Sequence, residues 1–215
     1  MPARKIGPKK GVNRRCLVSR TTEDEKMVFS ESLLERDFIK LCNCLPTISR
    51  IEYQPLCIAF NYRGERRKYY PDFLLTEVDG KKILVEIKPL SRTKDQENLI
   101  KFKVGELFCE EKGWSFKVIT DRDLYEGQLK YNVSLLLDAK RLNIDIRLQY
   151  AIYELFQMFG QIMIKDLHLI FPNVEKGIVN AAVYTLLLNQ YCKTDMLSQR
   201  INDFSIIEIN EKKDW

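Results

Sequence analysis

Three residues of this chain have the types and spacing that phosphodiester chemistry requires. Asp72 follows Pro71, and Glu86 and Lys88 lie at the end of the next apolar segment. Two carboxylates that converge on one point can bind a hard divalent cation such as Mg²⁺ or Mn²⁺. A lysine beside them can help ionise a water molecule or neutralise the charge that develops on phosphate oxygens. We therefore interpret Asp72, Glu86 and Lys88 as catalytic residues of a metal-dependent phosphodiesterase.

The alternation of a β-strand places these side chains together. The period of two puts Ile83, Val85 and Ile87 on one face and Leu84, Glu86 and Lys88 on the other. If this strand pairs with the preceding one through the Asp79-Gly80 turn, Asp72 comes to the end where Glu86 and Lys88 lie. The main-chain carbonyl of Ile87 is then a further candidate metal ligand.

A simpler interpretation of the same residues exists. An acid and a lysine two positions apart are common as a solvated ion pair, and aspartate after proline is common in turns. The context favours a functional site, because the apolar run Ile83-Leu84-Val85 has little reason to end on a charged pair followed by Pro89.

The flanking segments predict an α/β sandwich. Apolar residues spaced by three and four predict a helix over 31–45, and Ser30 or Ser32 can cap it. Strands are predicted at 51–60, 68–75 and 82–88 as a meander, followed by a helix over 94–112 and a strand over 114–120. The second helix crosses over and places the last strand beside an earlier one.

The C-terminal part has a different pattern. Helices are predicted at 129–140, 146–159 and 175–191, with a short helix at 164–171 and two small strands in 196–209 around Asn202-Asp203. This combination predicts a winged-helix-like C-terminal domain. The segment Tyr125–Tyr131 is the predicted linker.

The distribution of charged residues supports the same division into an N-terminal and a C-terminal part. Residues 1–127 hold 25 Lys and Arg against 20 Asp and Glu, whereas residues 128–215 hold ten of each. We expect a basic N-terminal arm at 1–28, an endonuclease domain at 29–124 and the winged-helix-like domain at 125–215. The first 20 residues carry seven basic residues and no acid. They can bind phosphates or form a solvated tail.

Composition excludes several classes of protein. No apolar run approaches the roughly 20 residues of a membrane span, and the N-terminus lacks the apolar stretch of a secretory signal. We therefore expect a cytoplasmic protein without a membrane partner. The six cysteines include no Cys-x-x-Cys pair and predict buried apolar residues rather than zinc ligands. The single histidine, His168, excludes sites that need two histidines, and we expect it to be structural.

Several segments also match a known family. The chain resembles the A subunit of heteromeric cut-and-paste transposases (TnsA-type), an endonuclease of the PD-(D/E)xK superfamily. The matching segments are Ser32-Leu33-Leu34-Glu35-Arg36-Asp37-Phe38, Glu52-Tyr53-Gln54-Pro55-Leu56, Tyr70-Pro71-Asp72-Phe73-Leu74, Leu84-Val85-Glu86-Ile87-Lys88-Pro89, Gly113-Trp114-Ser115-Phe116 and Ile119-Thr120-Asp121. The resemblance implies a restriction-endonuclease-like mixed sheet flanked by helices.

The resemblance also implies roles for individual residues. Asp72 and Glu86 would bind metal, Lys88 would be the catalytic lysine, and Glu35 would complete the acidic cluster. Without the resemblance, Glu35 is the partner of Ser32 in a capping box or a surface charge. The best-known member of the family has glutamine where this chain has Glu86, so this site resembles the more usual nuclease form.

Other residues have two interpretations each. Gln54 matches a family position and can support the site, or it can be a strand amide bonded to nearby backbone. The basic loop consists of Arg63, Arg66, Arg67 and Lys68. Its charges can bind phosphates beside the catalytic residues, or they can serve solubility alone. Lys101 and Lys103 share this ambiguity.

The family resemblance implies a division of labour in transposition. This subunit would cleave the 5′ strand of double-stranded DNA at each transposon end, and a DDE-type B subunit would cut and join the 3′ ends. An AAA+ ATPase regulator would contact the A subunit through the C-terminal domain, and an RNA-guided targeting complex is compatible with the family. The alternatives are an autonomous restriction or repair endonuclease and a non-catalytic DNA-binding scaffold.

Overall fold

The computed structural model describes residues 15–18 and 27–211. Most of the basic arm expected at residues 1–28 lies outside these ranges. The chain divides into two compact units, one ending at Leu124 and one beginning at Tyr125, with Cys44–Pro46 assigned to the second. Among the helices of the described ranges, none combines the length and apolar character needed to cross a bilayer.

The first unit is a mixed α/β unit. Its elements in the described ranges are β1 (Arg15–Val18), β2 (Met27–Ser30), α1 (Leu33–Asn43), β3 (Ile48–Tyr53), β4 (Ile58–Tyr62), β5 (Glu65–Tyr69), β6 (Phe73–Glu77), β7 (Lys82–Ile87), a 3₁₀ turn (Leu90–Arg92), α2 (Gln96–Lys112), β8 (Ser115–Ile119) and α3 (Asp121–Leu124). β1 and β2 pair antiparallel within the part of the sequence expected to be a basic arm.

The central sheet has the strand order β3-β6-β7-β8. β6 pairs antiparallel with β3 and with β7, whereas β8 joins β7 in parallel after the α2 crossover, as the sequence predicted. Val85 and Ile87 pack on one face with Phe38 of α1, and Leu84 packs on the other face with Cys109 of α2. The alternation predicted for this strand is therefore confirmed, and each helix covers one face of the sheet.

Two predicted strands are broken in the structure. The strand expected at 51–60 ends at Tyr53, because Gln54 has a left-handed φ of 42° and Pro55 follows it. The strand expected at 68–75 is interrupted at Tyr70-Pro71-Asp72. The pieces β4 and β5 form a separate two-stranded ribbon. The predicted meander is confirmed as the antiparallel neighbours β3-β6-β7, but the ribbon lies between β3 and β6 in sequence, so the predicted direct connection between the first two strands is wrong.

The α2 helix ends where the sequence predicted. Gly113 adopts a left-handed conformation with φ of 67° and closes the last turn through its main-chain N–H. Earlier in the helix, a Cβ atom on Gly105 would lie 2.5 Å from the Phe116 ring, so the absent side chain permits close packing of α2 on β8.

The second unit is mainly helical. Its elements are α4 (Leu129–Ala139), α5 (Ile146–Phe159), β9 (Gln161–Met163), α6 (Ile164–Ile170), α7 (Lys176–Leu188), β10 (Cys192–Lys193) and β11 (Ile206–Ile209). The three strands form one antiparallel sheet in the order β10-β11-β9. Its core is built around α7, with Ile152 and Phe156 from α5 and Leu167 from α6.

Two predictions for the second unit need correction. α4 begins at Leu129, so the predicted linker 125–131 is helical in its last three residues. Only one strand, β11, lies within residues 196–209, and its partners β9 and β10 lie earlier in the chain. Asn202 and Ser205 instead close a turn, in which Asn202 N–H donates to Ser205 Oγ at 3.0 Å.

Candidate active site

The β6–β7 hairpin brings Asp72 to Glu86. Phe73 pairs with Val85 in the antiparallel register, so Asp72, one residue earlier, reaches the far end of β7. There the main-chain N–H of Ile87 donates a hydrogen bond of 2.8 Å to Asp72 Oδ2. This bond fixes one carboxylate oxygen of Asp72 against the strand that carries Glu86.

Glu86 is a buried carboxylate with a partner on each oxygen. It is 2% exposed. Its Oε1 lies 2.7 Å from Lys88 Nζ, and its Oε2 accepts a hydrogen bond of 2.7 Å from the hydroxyl of Tyr69. A buried charge is tolerated only when it is paired and hydrogen-bonded, and both conditions hold here.

The ammonium of Lys88 lies among three oxygen atoms. Its Nζ is 2.7 Å from Glu86 Oε1, 3.2 Å from the Ile87 carbonyl oxygen and 3.7 Å from Asp72 Oδ2. These three oxygen atoms are candidate metal ligands, and in this structure they surround the ammonium of Lys88. Mg²⁺ is usually bound by one or two carboxylates and keeps several waters, so this oxygen set fits a hard divalent cation.

The clustering of acids perturbs their ionisation. Burial raises the pKa of Asp72 to about 8, and the charge of Glu86 adds to the effect. Burial opposes the charged form of Lys88, but the carboxylates of Asp72 and Glu86 outweigh it and raise the pKa of Lys88. A cation beside these carboxylates therefore stabilises their ionised forms, whether that cation is an ammonium or a metal.

Glu35 lies near the cluster but bonds elsewhere. Its carboxylate accepts hydrogen bonds from Glu31 N–H at 2.7 Å and from Ser32 Oγ at 3.0 Å, while Glu35 N–H donates to Ser32 Oγ at 3.1 Å. This is a capping box at the start of α1. Burial raises the pKa of Glu35, and Lys88 is among the charges that lower it. Its role as a metal ligand stays a prediction.

A cavity of about 490 Å³ adjoins the cluster. Ser32 and Glu35 of the capping box line one part of it, Lys88 and Pro89 line another, and Lys101 of α2 contributes to the rest. Lys88 belongs both to the cavity wall and to the carboxylate cluster. A phosphate in this cavity would therefore meet the ammonium of Lys88.

Gln54 holds the backbone beside Asp72. Its main-chain N–H donates to the Asp72 carbonyl at 2.8 Å, and its amide Nε2 donates to Tyr53 Oη at 3.1 Å. Among the described residues, no partner is found for its buried Oε1. The contact with Asp72 is made by the main chain of Gln54, so a supporting role of its side chain stays a prediction.

The basic residues of the ribbon are exposed. Arg63 and Arg67 lie over the ring of Tyr62, at 5.3 and 5.1 Å from its centroid. Arg67 also pairs with Glu65 at 2.8 Å and acts electrostatically on Glu97, a cavity residue of α2. Arg67 is therefore within electrostatic range of one cavity residue, and Arg66 and Lys68 are its neighbours along β5.

Other candidate residues lie apart from the carboxylates. Lys101 lines the cavity and pairs with Glu97 at 2.7 Å, whereas Lys103 pairs with Glu106 at 3.2 Å. His168, in the second unit, bonds Asn180 at 2.7 Å. Within residues 30–211, no three His, Cys, Asp or Glu side chains are grouped as a metal site. The candidate site therefore depends on two carboxylates and one main-chain carbonyl.

Sequence reasoning did not identify Tyr69. It is the one buried residue of β5, whose other four residues are exposed. A tyrosine that ends a charged strand must bury its ring, and its hydroxyl then needs a polar partner. A tyrosine at the end of a charged strand, directly before Tyr70-Pro71-Asp72, was therefore the sequence feature that could have identified Tyr69.

Part of the first unit is similar to a known protein family. Residues 45–121 match the family described as "TnsA-like endonuclease N terminal". Asp72, Glu86 and Lys88 lie inside this range, and Glu35 lies before it. No curated protein matches the chain in sequence. The sequence match and the arrangement of the carboxylates therefore indicate that residues 45–121 are similar to the N-terminal domain of TnsA-like endonucleases.

Proposed function

We propose that this chain is a metal-dependent DNA endonuclease subunit of a cut-and-paste transposase. The observation that carries the proposal is the convergence of Asp72 Oδ2, Glu86 Oε1 and the Ile87 carbonyl on the ammonium of Lys88, inside the family-matched range. These residue types, in this arrangement, support phosphodiester hydrolysis.

The same residues suggest how the reaction is assisted. Asp72, Glu86 and the Ile87 carbonyl would hold Mg²⁺ or Mn²⁺, which supplies Lewis-acid stabilisation of charge on the scissile phosphate. Lys88 lines the adjoining cavity, so its ammonium can donate a hydrogen bond to a phosphate oxygen there. Burial of Glu86 keeps bulk water from its carboxylate, which strengthens its electrostatic interactions.

The proposed substrate is the double-stranded DNA of a transposon end. Lys101 lines the cavity and the charge of Arg67 acts on Glu97 of the cavity wall, so both cations can bind phosphates of DNA that enters the cavity. A single site of this kind hydrolyses one strand at a time. We propose that this subunit cuts the 5′ strand, and that a DDE-type B subunit acts on the 3′ strand.

The second unit is proposed as a winged-helix-like module that contacts partner proteins. Its order α5-β9-α6-α7-β10-β11, with strand order β10-β11-β9, supports the winged-helix assignment. In a DNA-reading module of this kind the second helix of the helix-turn-helix enters the major groove. Here that helix is α7, and eight of its 13 residues are buried. Lys176 is its one charged residue.

Burial of α7 and the neutral charge of residues 128–215 favour protein contact over DNA reading. We propose an AAA+ ATPase regulator as the partner of the second unit. Binding of an RNA-guided targeting complex to this unit is also compatible with its charge. Cross-linking of the full-length chain to the ATPase, read by mass spectrometry, tests this. Cross-links from lysines after Tyr125 are expected, and cross-links confined to residues before Leu124 would overturn the assignment.

The nuclease proposal is tested by strand-specific cleavage. Duplex DNA carrying the terminal repeats of the transposon, labelled on each strand in turn, is incubated with the full-length chain, the B subunit, the ATPase and Mg²⁺. We expect a nick in the 5′ strand that EDTA abolishes. Asp72→Asn should lose the nick, while the matched variant Asp79→Asn, at the exposed hairpin tip, should retain it.

Each other outcome rejects part of the proposal. Cleavage by Asp72→Asn at the wild-type rate would remove Asp72 from the site. Sequence-specific double-strand cleavage by the chain alone would indicate an autonomous restriction or repair endonuclease. DNA binding without cleavage, in the presence of both partners and either Mg²⁺ or Mn²⁺, would indicate a scaffold.

A further inference from the structure

Tyr69 connects the basic ribbon to the buried carboxylate of Glu86. It is the last residue of β5, its side chain is 2% exposed, and it packs with Ile58, Leu74 and Leu84. The four residues before it in β5 are exposed. Its ring therefore fixes the end of the ribbon against the face of the sheet that α2 covers.

The hydroxyl of Tyr69 is directed at one oxygen of Glu86. It donates to Oε2 at 2.7 Å, whereas Oε1 faces Lys88 Nζ at the same distance. Hydrogen bonds to an ionised acceptor are short and strong, and both groups are shielded from water. The two oxygens of Glu86 thus have separate partners, and rotation of the carboxylate would break both contacts.

We propose that Tyr69 is a positioning residue that makes Glu86 a one-oxygen metal ligand. By occupying Oε2, it leaves Oε1 as the oxygen that faces the ammonium of Lys88, which the Ile87 carbonyl and Asp72 Oδ2 also approach. Residues that orient a ligand from behind are usually needed for full metal affinity. The inference rests on the proposed metal-dependent function and adds to it a residue that touches neither metal nor DNA.

The backbone around Tyr69 explains why this contact is well defined. Tyr69 ends β5 and Asp72 precedes β6, so only Tyr70 and Pro71 separate them. The fixed φ of Pro71 limits how this short segment can turn. One turn therefore sets the position of a metal ligand, Asp72, and of the residue that orients the other ligand, Glu86.

The test measures metal binding without relying on cleavage. Binding of Mn²⁺ to the full-length chain is followed by electron paramagnetic resonance of the free ion. Tyr69→Phe removes the hydroxyl and keeps the ring, and we expect affinity for Mn²⁺ to fall by about 10- to 100-fold. Tyr153→Phe is the matched control, because it removes a buried hydroxyl that bonds Gln157 in the second unit, and it should bind as wild type does.

A double-variant cycle separates positioning from a general effect on the fold. In the Glu86→Gln background the charge that Tyr69 orients is absent, so adding Tyr69→Phe should change Mn²⁺ affinity by less than about twofold. Thermal unfolding in EDTA verifies that each variant is folded. If Tyr69→Phe alone unfolds, Mn²⁺ affinity is compared between Glu86→Gln and the double variant Glu86→Gln/Tyr69→Phe. In the double variant no carboxylate oxygen of residue 86 is left unpaired.

The possible results are distinct. If the wild type binds Mn²⁺ and Tyr69→Phe binds it within twofold, the positioning role is wrong and the nuclease proposal stands. If Tyr69→Phe weakens binding equally in both backgrounds, Tyr69 does not act through Glu86, which also overturns the inference. If the wild type does not bind Mn²⁺, the metal-dependent function itself fails, and the role of Tyr69 fails with it.

Discussion

The ammonium of Lys88 lies 2.7 Å from Oε1 of Glu86, within the set of oxygens proposed to hold a divalent cation. The lysine and the metal ion are therefore expected to compete for the same carboxylate. For both to act, the ammonium must leave Oε1 when the ion binds. Since Lys88 also lines the cavity, the space into which its side chain can move is open.

Removing the Lys88 ammonium should separate metal binding from catalysis. We expect Lys88→Ala to bind Mn²⁺ at least as tightly as the wild type and to lose DNA cleavage by about 100-fold or more, because one charge-stabilising donor typically contributes that much. The measurements are Mn²⁺ titration and single-turnover nicking. Lys117→Ala, on the exposed side of the neighbouring strand β8, is the control and should change neither. Loss of Mn²⁺ binding in Lys88→Ala would show that the lysine supports the metal site instead of competing with it.

Two substitutions at Glu35 should distinguish its structural role from its predicted catalytic role. Glutamine can occupy the same position of a capping box, so Glu35→Gln should keep nearly the wild-type free energy of unfolding. Ser32→Ala removes the cap itself and should destabilise the first unit by about 0.5–2 kcal/mol. Urea denaturation measures both.

Cleavage then decides the predicted catalytic role of Glu35. If Glu35 contributes charge to the acidic cluster, Glu35→Gln lowers the rate of nicking while the fold is retained. Ser32→Ala, once folded, should cleave faster than Glu35→Gln because the carboxylate remains. Wild-type cleavage by Glu35→Gln would leave Glu35 with the capping role alone.

We expect the ribbon to contact DNA phosphates through the side of β5 that carries Arg67, since the charge of Arg67 acts on Glu97 of the cavity wall. We expect Arg67→Ala and Lys101→Ala each to weaken DNA binding and to reduce the slope of log affinity against log salt by about one. Arg66→Ala, one residue away on the other side of β5, is the matched control and should have a smaller effect. Binding is measured by fluorescence anisotropy over a series of salt concentrations, with an Asp72→Asn background to prevent cleavage. Equal slopes for Arg66→Ala and Arg67→Ala would contradict this orientation.

The start of α3 should contribute a pH-dependent stability. Asp123 Oδ2 accepts hydrogen bonds from Thr120 Oγ1 at 2.7 Å and from Thr120 N–H at 2.8 Å. The Thr120 hydroxyl and main-chain bonds lower the pKa of Asp123. A lowered pKa in the folded state means that the stabilisation is present above the pKa of the unfolded chain, about 3.9. It is lost as the pH falls through the lower folded value.

Asp123→Ala should therefore destabilise the protein at pH 7 and do so less at pH 3, and the loss at pH 7 should stay below about 1 kcal/mol because Asp123 is exposed to solvent. Urea denaturation at the two pH values measures the difference. Asp138→Ala, at an exposed position of α4, is the control. A destabilisation that is the same at both pH values would exclude the ionised carboxylate as its source. The bond between Asp123 and Thr120 lies close to the candidate site in sequence and space. Asp121, the first residue of α3, accepts a hydrogen bond of 2.6 Å from the N–H of Leu90, two residues after Lys88.

Local patterns were sufficient to place much of the candidate site. The period of two in β7 correctly separated Val85 and Ile87 from Leu84, and the Asp79-Gly80 turn correctly implied that Asp72 reaches the end of β7. The crossover that places β8 beside an earlier strand was also predicted correctly, and the structure shows that this pairing is parallel. These features depend on neighbours in sequence and on turn chemistry, which a single chain displays directly.

Contacts between distant segments settled the remaining features. The sequence predicted single strands over 51–60 and 68–75, but they are interrupted at Gln54 and at Tyr70-Pro71-Asp72, and the ribbon between these breaks packs Tyr69 against Glu86. Likewise, no spacing rule places the ammonium of Lys88 among Glu86, Asp72 and the Ile87 carbonyl instead of in solvent. Both outcomes follow from burial of charge: once packing has enclosed Glu86, each of its oxygens must find a partner, and the folded chain supplies Tyr69 and Lys88.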